Sequence, residues 1–224
     1  LPTVASDALA LTPFDLGDTA TRPDRTTAEL VRRAREGDHD AFAVLVERHE
    51  RMVLRTAVRL LGRLDRAQDA SQETFLRLFR YLGRFDETRE MGPWLYRVVV
   101  NVCRDLGRRA GAGRLVALDD ARETLRAAGP GERGGAFEAV ARDERQRLVQ
   151  AAVMTLPERE RAAVVLRDLE GRPSPEVARI LGSSEGTVRS QVASARLKIK
   201  RFIESRSRAG AVGTTTEETI DDHL

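Results

Sequence analysis

The chain has 224 residues, 41% apolar and 33% charged, which is enough apolar content to bury cores and more charge than the usual globular share of about 25%. Its uninterrupted apolar stretches, such as Ala162 to Leu166, fall far short of the roughly 20 residues that span a bilayer, so membrane insertion is excluded and a cytoplasmic protein is expected. One cysteine, Cys103, and three scattered histidines, His39, His49 and His223, give neither an internal disulfide nor metal-ligand spacing, so no metal or cofactor is expected.

Residues 1–25, rich in Thr, Pro, Asp and Ala without periodicity, read as a flexible leader. A first helix is predicted from Thr26, where Thr26 and Glu29 have capping-box spacing, to Gly37. The second runs from Asp40 to Leu61, with Leu45, Val46, Met52, Val53, Ala57 and Leu60 at three- and four-residue spacing and Gly62 as terminator. Asp65 is expected to cap a third helix to Leu82. Pro93 suits the first turn of a fourth, which ends near Arg109. These four helices make a first module, residues 26–110.

Seven glycines and prolines between Gly111 and Gly135 break the chain too often for a packed element, so residues 111–143 read as a flexible linker. Helical spacing resumes at Glu144 to Thr155. Pro157 opens a helix ending near Gly171, Ser174 caps a short one to Leu181, and the last runs from about Ser184 to Ser205. Residues 144–206 thus form a second four-helix module, and residues 207–224 a disordered acidic tail. No stretch alternates with period two, so the fold class is all-α, two small helical modules on a tether.

Charge is distributed unevenly around a net +3. Residues 27–110 carry 17 basic and 13 acidic groups and residues 145–206 carry 13 and 7, whereas residues 111–144 have 5 and 7. Two basic modules on a neutral-to-acidic tether suit two contacts on one polyanion.

In the second module, Ala178, Gly182 and Val188 stand in the relation a helix-turn-helix requires: a small residue for close approach, a glycine for positive φ, and an apolar anchor. The helix that follows begins with Ser184, Thr187, Arg189, Ser190 and Gln191, short polar or basic side chains at a dipole end suited to base edges, and Arg196, Lys198, Lys200 and Arg201 continue the positive strip. In the first module six of ten aromatic residues lie between Phe75 and Tyr96, interleaved with arginines, as a single-strand site needs. Phe75 and Phe79 read as core, whereas Tyr81, Phe85, Trp94 and Tyr96 flank a loop and stand evenly between core and site, with Arg84, Arg89 and Arg97 beside them. Asp69, Gln72, Glu73 and Leu76 share one stripe of the third helix and suggest a cationic protein partner.

These runs resemble the sigma-70 family of RNA polymerase initiation factors. Residues 69–79 (DASQETFLRLF) resemble region 2.2; Pro93 to Arg97, with Asn101, Asp105, Arg108 and Arg109, resemble regions 2.3 and 2.4; and LPERER from Leu156, LRDLEG from Leu166 and GTVRS from Gly186 resemble region 4. Both regions in order with only a linker between them point to the extracytoplasmic function (ECF) group. The resemblance implies a non-enzymatic subunit whose first module docks on bacterial core RNA polymerase through Asp69, Gln72, Glu73 and Leu76 and captures the unpaired non-template strand of the minus-ten element through Arg84, Phe85, Arg89, Trp94, Arg97 and Asn101. The second module would read minus-thirty-five duplex through Ser184, Thr187, Val188, Arg189, Ser190, Gln191, Ser194, Arg196 and Lys198, and an anti-sigma factor becomes a plausible further partner. Gln191 and Ser194 depart from the basic residues usual at those positions, which implies fewer phosphate contacts. The alternative is a helix-turn-helix regulator that binds operators without replacing sigma.

Overall fold

The computed structural model describes residues 25–109 and 136–213, with side chains over 27–109 and 144–208; the expected leader, most of the linker and the end of the tail lie outside these residues. All regular structure among them is helical. The first module holds α1 (Arg25–Arg35), α2 (His39–Leu61), α3 (Leu64–Tyr81), a short 3-10 turn (Leu82–Arg84) and α4 (Met91–Arg109). The second holds α5 (Ala136–Met154), α6 (Glu158–Val164), a π turn (Val165–Leu169), α7 (Ser174–Leu181) and α8 (Glu185–Gly213).

The α2 helix shows how local chemistry sets the ends. Asp38 accepts from the Ala41 N–H at 3.0 Å and thereby satisfies one orphan donor, and Gly62, at φ 69°, returns its N–H to the Val58 carbonyl. Three expected caps are replaced. The first helix begins at Arg25, so Thr26 lies inside it, and Glu29 pairs with Arg32 rather than closing a capping box. Arg63 occupies the N-cap of α3 without a side-chain bond, and its guanidinium instead holds the Asp65 carboxyl down at about 2. Pro173, not Ser174, stands at the N-cap of α7, where Pro175 fits the first turn because its missing N–H has no helical partner there. The α5 helix starts eight residues earlier than expected, within the stretch read as linker.

Leu30, Val31, Leu45, Leu78, Leu82, Met91 and Leu95 form a core private to the first module. A larger core crosses the boundary: Val53, Ala57, Tyr96, Val99, Val100 and Cys103 are continuous with Val153, Leu166, Val177, Ala178, Ile180 and Val188. The sequence suggests two tethered bodies, whereas α2 packs on α5 and α4 packs on α7. The cause is legible on α4. Leu95, Val99 and Val102 are buried along one side, and Tyr96, Val100 and Cys103 add a second apolar side that one small bundle cannot cover.

Polar groups seal the boundary as well. The last carbonyls of α2 have no intrahelical donors. Gln150 on α5 donates to Val58 and Arg59 at 3.3 and 3.1 Å, and Arg161 on α6 donates to Leu60 at 3.1 Å while also binding the Met154 and Leu156 carbonyls. Glu170, whose side chain is 0% exposed, receives Arg55 at 2.6 Å, Arg59 at 2.7 Å and the Tyr96 hydroxyl at 3.1 Å. Removing one member of such a buried charge cluster costs roughly 3–5 kcal/mol, because the remaining charge is left uncompensated.

Candidate nucleic-acid and partner interfaces

The turn between α7 and α8 is a helix-turn-helix built by its own hydrogen bonds. Gly182 takes φ 62° and ψ 44°, the left-handed region that a side chain resists, and its N–H returns to the Ala178 and Arg179 carbonyls. The Ser183 N–H also reaches the Ala178 carbonyl, at 2.9 Å. Ser184 caps α8 by accepting from the Thr187 N–H at 3.1 Å, and the two hydroxyls lie 2.8 Å apart. Val188 is 0% exposed and joins α8 to α7. It is fully buried as the anchor between the two helices and so presents no surface to a base, unlike the other residues of the expected contact set.

What α8 presents to solvent differs from the expected strip. Its buried line is Val188, Val192, Ala195 and half-buried Ile199, so the opposite line is Gly186, Ser190, Ala193, Leu197 and Arg201, with Arg189 and Lys200 beside it. Arg196 is bound bidentately by Asp168 at 2.8 and 2.7 Å. Lys198 meets both oxygens of Glu160 at 2.8 Å, and Ser194 donates to the same carboxylate at 3.2 Å. Gln191 lines a cleft with Arg104, Arg108 and Glu158 from across the module boundary. Four residues expected on the nucleic-acid side therefore lean back onto α6, onto the π turn after it, or toward the first module. Arg189 and Arg201 are exposed and, among the described residues, form no ion pair. Arg201, named in the sequence only as part of a positive strip, could have been selected from its spacing to Ser190 and Leu197.

On α4, Trp94, Arg97 and Asn101 follow at spacings of three and four and lie on one side, all half-buried. Burial lowers the Arg97 guanidinium below its ordinary range. Arg104, on the same side, is held by Glu158 of α6 at 2.5 Å. Phe85 is 7% exposed and packs edge-on against Trp94 with centroids 5.7 Å apart, so it supports the indole from beneath rather than offering a face to a base. Its loop is pinned from α1, where Arg35 donates to the Leu82 and Phe85 carbonyls. Arg84 is exposed over the Tyr81 ring, and Arg89 pairs with Asp86. Tyr96 is buried and belongs to the module boundary.

The α3 stripe is assembled as expected in space: Asp69, Gln72 and Leu76 are exposed, and Leu76 keeps 45% of its surface. Glu73 is half-buried and committed to Arg77 at 2.8 Å, which also approaches Asp105 at 3.5 Å. Phe79, expected in the core, is 54% exposed and leans edge-on against Phe42 of α2. It extends the stripe by one turn, so the acidic end passes into an apolar edge. Among the described residues no helix is long and apolar enough to cross a membrane.

Comparison with known proteins accords with this geometry. Residues 45–112 match the family model for sigma-70 region 2, and residues 146–199 match that for sigma-70 region 4. The chain is 37% identical over 183 residues to the ECF RNA polymerase sigma factor SigM of Mycobacterium tuberculosis, covering 81% of this chain and 87% of the relative. It is 32% identical to the RNA polymerase sigma-H factor of Pseudomonas aeruginosa, covering 79% and 93%. Among solved structures, CnrH in complex with the cytosolic domain of CnrY superposes with a TM-score of 0.56 at 26% identity, over 80% of this chain and 98% of that one.

Proposed function

Because the chain belongs to the ECF group of the sigma-70 family, a non-enzymatic subunit that binds core RNA polymerase and directs promoter-specific initiation, we propose the following division of labour among its helices. The α3 stripe, with Asp69, Gln72 and Leu76 outermost and Phe79 extending it, docks on the polymerase. An exposed leucine and phenylalanine beside a carboxylate suit a partner helix that offers apolar side chains ringed by cations. The α4 side carrying Trp94, Arg97 and Asn101 takes the unpaired minus-ten strand, with the indole as stacking surface and Arg97 near the phosphates. Phe85 and Arg35 act at one remove by fixing the loop that precedes α4.

The N-terminal turn of α8 reads the minus-thirty-five duplex. Its positive dipole end and the Ser184 and Thr187 hydroxyls hold backbone phosphates, while Arg189 and Ser190 reach base edges in the major groove. Arg201 and Lys200 contact phosphates further along. The same binding energy that positions both modules also drives melting, since bases captured on α4 are withdrawn from the duplex equilibrium. A regulator acting without polymerase has no use for a region 2 module, and the match over residues 45–112 disfavours it. The likeness to CnrH, solved with a cytosolic domain of another protein, supports an anti-sigma partner for this chain, and the site of action is the cytoplasm, where promoter DNA lies.

The observation that carries this reading is the coexistence, in one chain, of an open acidic-apolar stripe on α3 and a correctly built helix-turn-helix at α7–α8. Reconstitution tests it: full-length chain with sigma-free polymerase should yield promoter-dependent transcripts from a genomic promoter library. The chain binding those promoters without polymerase, and giving no transcripts with it, would replace the reading.

A further inference from the structure

We propose that residues 214–224, the acidic stretch that follows α8, fold back along that helix and seat Ile220 in an apolar cleft of the second module, with their carboxylates against the cations that flank it. The cleft has a volume of about 410 Å³ and is lined by Val149 and Val153 of α5, Val164 of α6, Leu169 of the π turn, and Ile199 and Ile203 of α8. That volume lies within the roughly 300–1,000 Å³ of pockets that enclose a small ligand, so an aliphatic side chain fits. Val149, Leu169, Ile199 and Ile203 are only half-buried, and an aliphatic occupant would remove their remaining surface from water.

The flanks of the cleft are cationic. Arg196 and Lys200 stand on its α8 wall, Arg206 follows Ile203 by three positions, and Arg145 precedes Val149 by four on α5, so each shares a lining side of its helix. Arg196 is bound by Asp168, but Lys200 reaches only Glu204, at 3.8 Å, and Arg145 and Arg206 form no ion pair among the described residues. From Arg196 to Arg208 the helix carries six basic residues and one acidic. Residues 214–224 have the opposite sign, with Glu217, Glu218, Asp221 and Asp222 and no Lys or Arg. Residues 110–135 carry four of each sign, and residues 1–24 lead into α1 on the other module. Charge complementarity and chain order therefore select residues 214–224 as the occupant.

The reach fits as well. The α8 helix ends at Gly213, ten residues past Ile203 and fourteen past Ile199, about 15 and 21 Å at 1.5 Å per residue. The seven residues from Gly213 to Ile220 extend up to about 23 Å at about 3.3 Å each, so Ile220 can return to the level of either isoleucine. Gly213 permits the reversal, and the β-branched Thr214, Thr215 and Thr216 favour extended chain over further helix. Two carboxylates precede Ile220 and two follow it, so one aliphatic anchor sets charge along both directions of the cleft. Lys200 is then shared between these carboxylates and the phosphate contact assigned to it above, and on that point alone the proposal rests on the division of labour.

The chain contains four isoleucines, Ile180, Ile199, Ile203 and Ile220, so methyl labelling of isoleucine in the full chain reports on the cleft, the occupant and a control together. Nuclear Overhauser contacts should join Ile220 to Ile199 or Ile203. Removing residues 214–224, or Ile220→Ser, should shift the Ile199 and Ile203 signals and leave Ile180, buried in α7, in place. Both changes lie outside the helices, so the fold is preserved. Replacing the four carboxylates together (Glu217→Gln, Glu218→Gln, Asp221→Asn, Asp222→Asn) should steepen the slope of log affinity against log salt by about 0.9 for the full chain on minus-thirty-five duplex, one phosphate contact returned to Lys200. Absent Overhauser contacts, with Ile199 and Ile203 signals unmoved by truncation, would overturn the seat. Contacts that fade on dilution would assign the cleft to residues 214–224 of a second copy and overturn the fold-back equally. Contacts present with an unaltered slope would uphold the seat and refute instead the phosphate role given to Lys200.

Discussion

The two helices proposed to meet nucleic acid are prepared to different degrees. The first turn of α8 is capped, exposed and carries an arginine that pairs with nothing among the described residues, so it can dock on duplex without rearrangement. The working side of α4 is half-buried, and one of its arginines is tied to the other module. The difference follows from where each helix gets its stability. Residues Val188, Val192 and Ala195 bury one stripe of α8 and leave the rest free, whereas α4 is apolar on two sides and gains its full burial only when both modules are in contact.

The sharpest way to break this comparison is to weaken the shared core. Leu166 is fully buried within it, and Leu166→Ala should cost about 2–5 kcal/mol through lost transfer energy and a residual cavity. Calorimetry should show the loss, and hydrogen exchange should show faster opening at Tyr96 to Cys103 while the private core around Leu45 keeps its protection. Uniform protection loss across α1 to α4 would mean that the first module depends wholly on the second.

Next in size is the α3 stripe, which lies away from the shared core. Asp69→Lys with Leu76→Asp should leave helicity unchanged, since both side chains are exposed, and weaken polymerase binding roughly a hundredfold or more, as like-charge juxtaposition in an interface costs several kcal/mol. Fluorescence titration of labelled chain with core polymerase measures it. Glu73→Lys also breaks the pair with Arg77, so a loss there mixes docking with packing.

Trp94→Ala and Arg189→Ala compare the two helices directly, each with an expected cost of about 1–3 kcal/mol in promoter binding by holoenzyme. The Trp94→Ala defect should shrink on a pre-melted promoter, and the Arg189→Ala defect should persist and relax preference at one base position. Equal defects on both templates would place Trp94 in packing alone, as its contact with Phe85 would then be its whole role.

Alkaline pH probes the boundary from within. Burial, and then the Glu170 carboxylate, push the Tyr96 phenol up to about 12 against the opposing pull of Arg172 and Arg55. The phenol thus stays neutral in the folded chain while the unfolded chain ionises near 10, so its stabilising contribution is complete below about pH 10 and lost as pH rises toward 12. Burial also raises the Cys103 thiol, from 9 to about 12, with the same sign. Denaturation midpoints should fall over this window, less steeply in Tyr96→Phe and in Cys103→Ala, each by its own share.

Fold class, helix order and the helix-turn-helix could be read in the sequence because they rest on local signals: apolar spacing, Gly62 and Gly182 at positive φ, and the small-glycine-apolar relation of Ala178, Gly182 and Val188. The shared core could not be read this way. Period alone shows that Tyr96, Val100 and Cys103 form an apolar side of α4, but only the topology tells which element covers it. The α3 stripe was legible except for Phe79, where four-residue spacing from Phe75 suggested core and the helix rotated it past the edge. Side-chain commitments were least visible, because Asp168 and Glu160 lie 28 and 38 residues before the cations they hold.

The smallest effect separates committed from free cations on α8. A phosphate contact releases counterions, so removing one flattens the slope of log affinity against log salt by about 0.9. Arg201 is exposed opposite the buried line of α8 and is expected to make such a contact, so Arg201→Ala should lower the slope by about that amount for holoenzyme on minus-thirty-five duplex. Arg196 is equally basic and lies five residues nearer the recognition turn, and distance from the turn alone would rank it higher. Its guanidinium is already neutralised by both oxygens of Asp168, which raise its affinity for the proton and hold it against the π turn after α6. Counterions are scarce around a cation so paired, and Arg196→Ala should leave the slope nearly unchanged. Asp168→Ala should then release Arg196 and steepen the slope by a fraction of one contact. If Arg196→Ala flattens the slope as much as Arg201→Ala does, the ion pair opens on DNA, and the basic strip read from sequence, rather than the exposed line of the folded helix, describes the bound state.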